Sequence, residues 1–489
     1  MAVVPPEART LPELLARQAV LHPTRVALRT DTETLTYEDL AQRVNATSRR
    51  VQGLGVRGGD RVAWLGANDP AQVVLLFALA RIGAALCPLN VRLVPAEWDA
   101  LLAEVGPACL VHDAIFSDAA ARLATRCGIA VHAASTLAGD AAADDGADRA
   151  HPDVPVLLVQ TSGTTGRPRA AVHTQGQLLA NMRIAAQVQA MTADDVVLTV
   201  LPLFHVGGLC IQTLPALSVG ATVVLHPRFT PDATFDALAQ HRPTLTLQVP
   251  ATMKALVEHP RWAGADLSCL RAVWAGSSLL PSSQLDAFHA RGVPVCNVYG
   301  ATETGPFSIA LPPAHAMDHV GSCGWPAPDV EVRLADVAAD GVGEVWVRGP
   351  NVVRRYWPDV LAVDADGWFH SGDLATRADD GSYTIVGRAK DLVISGGENI
   401  HPAEIEAALA LHPDVLECAA FGIPDPRWGE AVAVAVVLRA GASAGDDDLR
   451  DHLATRLARF KLPRRWVRVD ALPKTALGKV QRAALAKLL

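Results

Sequence analysis

Residues 154–170, VPVLLVQTSGTTGRPRA, run from an apolar segment into a loop broken by Gly163, Gly166 and Pro168, in which Thr161, Ser162, Thr164 and Thr165 cluster. A short apolar run rich in valine, bounded by such residues, predicts a buried strand that ends in a turn. The pattern HTQGQLLANMRIAAQ, from His173, predicts a helix after the loop. A glycine-rich loop between a strand and a helix can offer backbone N–H groups and hydroxyls to phosphate oxygens. Gly163 and Gly166 let the backbone wrap an anion, and the hydroxyls donate without bulk. The Gly-x4-Gly-Lys-Ser/Thr pattern of a Walker A loop does not occur in the chain.

Outward from this stretch the same alternation continues. RVAWLGA, ACLVHDA, DVVLTVLPL, ATVVLHP and TLTLQVP punctuate helical segments such as TYEDLAQRVNATSRRVQGLG, which argues for α/β layers around buried sheets. LAGDAAADDGADRAHPD, residues 137–153, reads as an exposed loop. Beyond residue 387 a Gly-rich turn leads to a helix after Pro402, with Ile405 and Leu409 one turn apart. Strand-like LECAAFGIP and AVAVAVVL come next, then a helix opened by Asp446, Asp447 and Asp448, where acids suit the dipole. The expected fold is a large α/β N-terminal domain with layered sheets and helices, residues 1–388, plus a small α+β C-terminal domain, residues 389–489.

The 489 residues carry a net charge of −8 and no basic run, so nucleic acid is not an expected partner. Eight scattered cysteines, without a CxxC pair, read as reduced and mostly buried thiols of a cytoplasmic protein. The N-terminus lacks the basic-then-apolar order of a secretory signal. Two apolar stretches, 71–90 and 198–225, are interrupted by Arg81 or by Pro202, His205, Gly207, Gly208 and Pro215, and no transmembrane span is expected. Peripheral membrane contact stays open, and oligomeric state is not set, a homodimer being one option.

Six further stretches succeed the opening TSGTTGRPRA in order: LPLFHVGGL (201–209), WAGSSLLP (274–281), VYGATETG (298–305), DGWFHSGDL (366–374), YTIVGRAKDLVISGGENIHPAEIE (383–406) and PKTALGKVQR (473–482). Together they resemble the signature motifs of the adenylate-forming superfamily of acyl-CoA synthetases, peptide-synthetase adenylation domains and luciferases, over essentially the whole chain. The resemblance implies an enzyme that joins a carboxylate to AMP from MgATP, releases pyrophosphate and lets a thiol attack the acyl-adenylate. It also implies a mobile C-terminal domain.

By that resemblance Lys479 bridges carboxylate and α-phosphate, and Glu303 binds Mg²⁺. The loop residues Thr161, Ser162, Gly163, Thr164, Thr165 and Gly166 hold the β- and γ-phosphates of ATP, with Arg169 where lysine is common and Ala170 where glycine is frequent. Arginine keeps the charge and can grip phosphate bidentately. Arg167 falls at a variable, solvent-facing position. Tyr299, Gly300 and Thr302 belong to the adenine motif, with Gly276, Ser277 and Ser278 along the adenine edge, Asp373 on the ribose hydroxyls and Arg388 on ribose or phosphate. His205 lies beside the carboxylate and gates the thiol tunnel. Lys390 is the hinge, Gly396 and Gly397 let pantetheine pass, and Arg92, Trp428 and Phe460 are candidates for CoA contacts.

What the motifs lack bears on the acceptor and the acid. No Asp stands near HVGG to pair with an amino group, and ten residues come after Lys479, so neither an amino-acid substrate nor a fused carrier domain is expected. The acyl-pocket positions Val206, Gly207, Leu247, Ala275, Val298, Gly300 and Gly305 are apolar or small, with no cation for a second carboxylate. The resemblance thus implies an acyl-CoA synthetase using ATP, Mg²⁺ and CoA, with a medium- or long-chain fatty acid or an aryl or hydroxycinnamic acid as substrate. Two alternatives remain: a ligase loading a separate carrier protein, and a non-catalytic nucleotide- or acyl-CoA-binding regulator.

Overall fold

The computed structural model describes residues 8–137, 149–161, 169–276, 280–395, 398–474 and 480–488. The apolar run ahead of the glycine-rich loop is the strand Pro155–Thr161, buried along its centre. Beyond the loop the chain forms a second strand rather than a helix. Arg169–Thr174 runs antiparallel to the first, pairing Thr161 with Arg169 and Leu158 with Val172. The β-branched Val172 and Thr174 suit a pleated surface, and the helix begins only after them. The helix Gln175–Val188 opens on a capping box: Thr174 Oγ1 accepts from Gln177 N at 3.3 Å and Gln177 Oε1 accepts from Thr174 N at 2.9 Å.

The hairpin sits in an eight-stranded sheet in which Ala85–Pro88, Arg61–Leu65, Cys109–His112 and Ala130–Ala133 continue outward from Pro155–Thr161 as parallel neighbours. On the other side Arg355–Tyr356 pairs antiparallel with Arg169–Thr174, Tyr356 lying opposite Ala171. A nine-stranded sheet has six parallel strands at its centre, among them Leu245–Gln248, Ala272–Gly276 and Val295–Tyr299. Those three are almost entirely buried, as a sheet covered on both faces requires.

The apolar stretch near residue 71 is the helix Pro70–Ile82, buried around nearly its whole circumference between the helices Leu11–Leu21 and Tyr37–Gly53 and the strands beneath. Residues 198–225 hold a helical turn at their centre, Gly207–Thr213 running on into Leu214–Ser218. Among the described residues no helix is long and apolar enough to cross a membrane.

The chain divides into two units: Met1–Ser278, Asp286–Val332 and Val347–His370 form the first, and Leu279–Leu285, Arg333–Trp346 and Ser371–Leu489 the second. Within the second, Val415–Asp425 and Gly429–Leu438 form a long antiparallel pair, with Arg465–Arg468 added in parallel. The run AVAVAVVL shows the period of a strand. Val432, Val434 and Val436 pack against Ile405 and Leu409 of the helix Pro402–Leu409 and Leu449 and Leu453 of Asp446–Ala454. Ala433, Ala435 and Val437 face Phe421, Leu472 and Leu485. The acidic helix start is capped as its sequence suggests, Gly445 N donating to Asp448 Oδ2 at 2.8 Å.

Candidate active site

In the first unit three parallel strands end side by side, the place where open α/β sheets bind ligands. Their register pairs Leu247 with Trp274 and Gly276 with Val298, so Leu247, Gly276 and Val298 share one face. Gln248, Ala275, Asn297 and Tyr299 share the other. Ala275 was expected beside Leu247 and Val298, and the period of two turns it to the opposite side with Tyr299. Glycine is required where the strand ends and the adjoining turn approach one another. A Cβ on Gly276 would stand 2.4 Å from Val298 O, and one on Gly300 1.7 Å from Pro306 O.

The turn ATETG closes as a short helix, Thr302–Thr304, ending at Gly305 with φ of 90°. Thr304 is buried, and its hydroxyl accepts from Ala301 N at 2.9 Å and from Ser308 Oγ at 2.8 Å. Asn351 reaches in from a distant segment, Nδ2 donating to Thr304 O at 2.6 Å and Phe307 O at 2.9 Å. Val353 N donates to Glu303 O at 2.8 Å, and Tyr356 Oη donates to Glu303 Oε1 at 2.9 Å. Burial, with the Glu303 charge beside it, pushes the Tyr356 phenol well above its ordinary range, which keeps it a donor. The Arg169 guanidinium stands 5.5 Å from the centre of the Tyr356 ring. Thr161 Oγ1 donates to Arg169 O at 3.2 Å, closing the base of the loop.

His205 is half-buried, its ring 4.6 Å from that of Phe204. The segment leading to it is pinned from the helix Pro70–Ile82 and its approach. Asn68 Nδ2 donates to Leu201 O and His226 O, each at 3.0 Å, while Leu203 N donates to Asn68 Oδ1 at 2.8 Å and Gln72 Nε2 to Leu203 O at 3.2 Å. Val206 is buried, and Gly207 opens a π-helical turn, Gly207–Thr213. Side chains supply partners to its carbonyls: Thr213 Oγ1 to Gly208 O, Asn181 Nδ2 to Cys210 O and Gln189 Nε2 to Ile211 O, each at 2.7 Å. The paired glycines do different work. A Cβ on Gly208 would meet Pro202 O at 2.4 Å, while one on Gly207 has no atom of the described residues within 4 Å.

In the second unit Asp373 and Arg388 lie opposite one another on paired strands and form an ion pair, Nε to Oδ1 at 2.7 Å. Ser371 Oγ donates to Val345 O at 2.6 Å and accepts from Asp373 N at 3.0 Å, setting the backbone beneath the carboxylate. Arg388, expected on ribose or phosphate, is here the partner of the carboxylate expected on ribose. Lys390 is exposed in the short helix Ala389–Asp391. Arg482 ties its neighbourhood together: Nη1 lies 3.2 Å from Asp391 Oδ2, Nη2 lies 2.7 Å from Glu406 Oε1, and Nε donates to Ala420 O at 3.0 Å. Burial pushes the Glu406 carboxyl up against the pull of Arg482. Trp428 has guanidinium groups of Arg427 and Arg464 at 4.8 and 5.3 Å from its ring. Its indole N–H has no partner among the described residues. Phe460 is 44% exposed with Lys461 Nζ 5.6 Å from its ring. In the first unit Arg92 is exposed, its N–H donating to Asn90 Oδ1 at 3.0 Å.

Ser162, Gly163, Thr164, Thr165, Gly166, Ser277, Ser278, Gly396, Gly397 and Lys479 lie outside the described residues. The donor set fits the groups implied by the motifs. Glu303 has one carboxylate oxygen held by a phenol and the other without a hydrogen-bond donor among the described residues, which suits a hard cation that keeps its waters. Aromatic surfaces flanked by guanidinium groups, as at Trp428, suit an adenine ring and phosphates. Tyr356, Asn351 and Arg482 carry no local motif that would single them out in the sequence.

Comparison with known proteins adds the family. A model described as AMP-binding enzyme matches residues 15–357, and one described as AMP-binding enzyme C-terminal domain matches residues 404–479. The indoleacetate–CoA ligase of Aromatoleum aromaticum is 42% identical, with 98% of each chain covered. A feruloyl-CoA synthase of an Amycolatopsis species is 40% identical, covering 96% of this chain and 97% of its own length. Among solved structures, the o-succinylbenzoate coenzyme A synthetase (MenE) of Bacillus subtilis, in complex with ATP and magnesium ion, superposes with a TM-score of 0.88 at 30% identity, covering 96% of this chain and 98% of that one.

Proposed function

The chain belongs to the AMP-binding enzyme family, and from that premise we propose that it activates an aryl or arylalkanoic acid with ATP and passes the acyl group to CoA. It is an AMP-forming acid–CoA ligase that uses ATP, Mg²⁺ and CoA. The observation that carries the choice of acid is full-length similarity to relatives named for indoleacetate and ferulate. Buried Val206, Leu247 and Val298, with open space at Gly207, agree with a flat apolar substrate.

Adenylation brings a carboxylate against a phosphate, two anions, so the site must supply alignment and positive charge. Glu303 holds Mg²⁺, which when bound neutralises triphosphate charge. Arg169 and the hydroxyl loop grip the β- and γ-phosphates, Tyr299 packs against adenine, and Asp373 accepts from the ribose hydroxyls. Lys479 bridges the reacting carboxylate and α-phosphate, and His205 borders the path of the thiol. Residues 389–489 act as a mobile domain turning about Lys390 between the two half-reactions. Eight unpaired cysteines favour a reducing compartment, the cytoplasm.

Purified chain incubated with MgATP, CoA and a panel of indoleacetate, ferulate, benzoate and medium- and long-chain fatty acids should release AMP and pyrophosphate and form thioesters of the aromatic acids. ADP as product would overturn the adenylation chemistry. Faster turnover of the fatty acids would overturn the aryl assignment alone.

A further inference from the structure

The registry at the sheet edge brings together two residues that the motifs treat separately. Tyr356 pairs with Ala171 across antiparallel strands, and Arg169, two residues back on the same face, lies diagonally opposite it, within reach of a long side chain. Trp357 N donates to Ala170 O at 2.8 Å and fixes that alignment. The ring of Tyr356 thereby lies 5.5 Å from the Arg169 guanidinium, and its hydroxyl reaches Glu303 Oε1 at 2.9 Å. Glu303 is anchored from the same segment through its backbone, by Val353 N at 2.8 Å. One aromatic side chain therefore touches both the cation at the exit of the phosphate loop and the carboxylate of the ATETG turn.

We infer that Tyr356 is a positioning residue that couples these two groups: its hydroxyl orients the Glu303 carboxylate so that the other oxygen is presented to Mg²⁺, and its ring seats the guanidinium of Arg169. The inference rests on the reading of Glu303 as the magnesium carboxylate and Arg169 as the phosphate cation. It also accounts for arginine at residue 169. A planar guanidinium stacks on an aromatic face, whereas an ammonium makes a point contact.

Binding of the non-reactive analogue α,β-methylene-ATP, measured by calorimetry across a Mg²⁺ titration, tests this without turnover. Tyr356→Phe keeps the ring and removes the donor. It should raise the Mg²⁺ concentration for half-maximal enhancement of binding by at least about tenfold, in line with loss of a hydrogen bond to a charged group. Its affinity for AMP without metal should stay at the wild-type value. Glu303→Gln is the reference: if it shifts the Mg²⁺ dependence and Tyr356→Phe does not, the inference fails while the role of Glu303 stands. If Glu303→Gln leaves the dependence unchanged, the reading of Glu303 fails and takes the inference with it. Arg169→Lys tests the ring independently of whether Tyr356→Phe folds. It should weaken analogue binding at saturating Mg²⁺ several-fold despite conserved charge, and wild-type affinity there would overturn the coupling.

Discussion

At Gly207 the missing side chain leaves a space that none of the described residues enters, while its neighbour Gly208 is hemmed in by backbone at 2.4 Å. Replacing Gly207 by phenylalanine should place a ring where the aromatic acid is to lie. The expected result is a fall of at least about tenfold in kcat/KM for indoleacetate and ferulate, with analogue binding at the nucleotide site preserved. Unchanged turnover of both acids would remove Gly207 from the acyl side. At this scale the legible residues were those whose chemistry leaves a compact local pattern. Glu303 stands in ATETG and Asp373 in SGDL. Tyr356 and Asn351 were not legible because their partners, Glu303 and Thr304, lie far away in the chain and no spacing announces the contact. Ala275 differs in another way: neighbouring positions on a strand point to opposite sides, so it lies across from the face of Leu247 and Val298, which a motif match does not record.

The strand Arg169–Thr174 shows what periodicity misses at the level of an element. The sequence pattern starts its helix at His173, yet that residue is fully buried in a sheet, opposite Leu157. Neither ring nitrogen has a hydrogen-bond partner among the described residues. Burial lowers its pKa to about 4, whereas an unfolded histidine titrates near 6.5. The unfolded chain therefore takes up a proton first, so this contribution to stability is complete above pH about 6.5 and is lost as pH falls toward about 4, by up to roughly 1.4 kcal/mol per pH unit. His173→Leu should lose about 1.6 kcal/mol less than wild type between pH 6.5 and 5, the slope being half its limit at pH 6.5, in denaturant titrations at the two pH values. Equal losses would mean that His173 is not held neutral. The layered α/β organisation was readable because its buried strands are continuous apolar runs. The extra strand was not, because RAAVHT is too short and too small to separate one period from the other.

For the molecule as a whole, the proposed division of labour separates two half-reactions in one chain. Lys479→Ala should abolish pyrophosphate release while sparing thioester formation from supplied acyl-AMP, and Lys390→Pro should slow thioester formation more than adenylation. Equal loss of both steps in either variant would contradict the assignment. The two-body organisation was foreshadowed by the Gly-rich turn beyond residue 387, though the second unit also takes in Ser371 onward, where Asp373 pairs across to Arg388, and the earlier segments Leu279–Leu285 and Arg333–Trp346. Strand Gly429–Leu438 also constrains how such molecules can be recombined. Val432, Val434 and Val436 serve one core and Ala433, Ala435 and Val437 another, so a hybrid spliced inside it with an odd number of added or lost residues would exchange the two linings and put valines where Ala433 and Ala435 now pack. Swaps between relatives that preserve even parity, or that cut outside the strand, should yield expressible chimeras, and odd ones inclusion bodies.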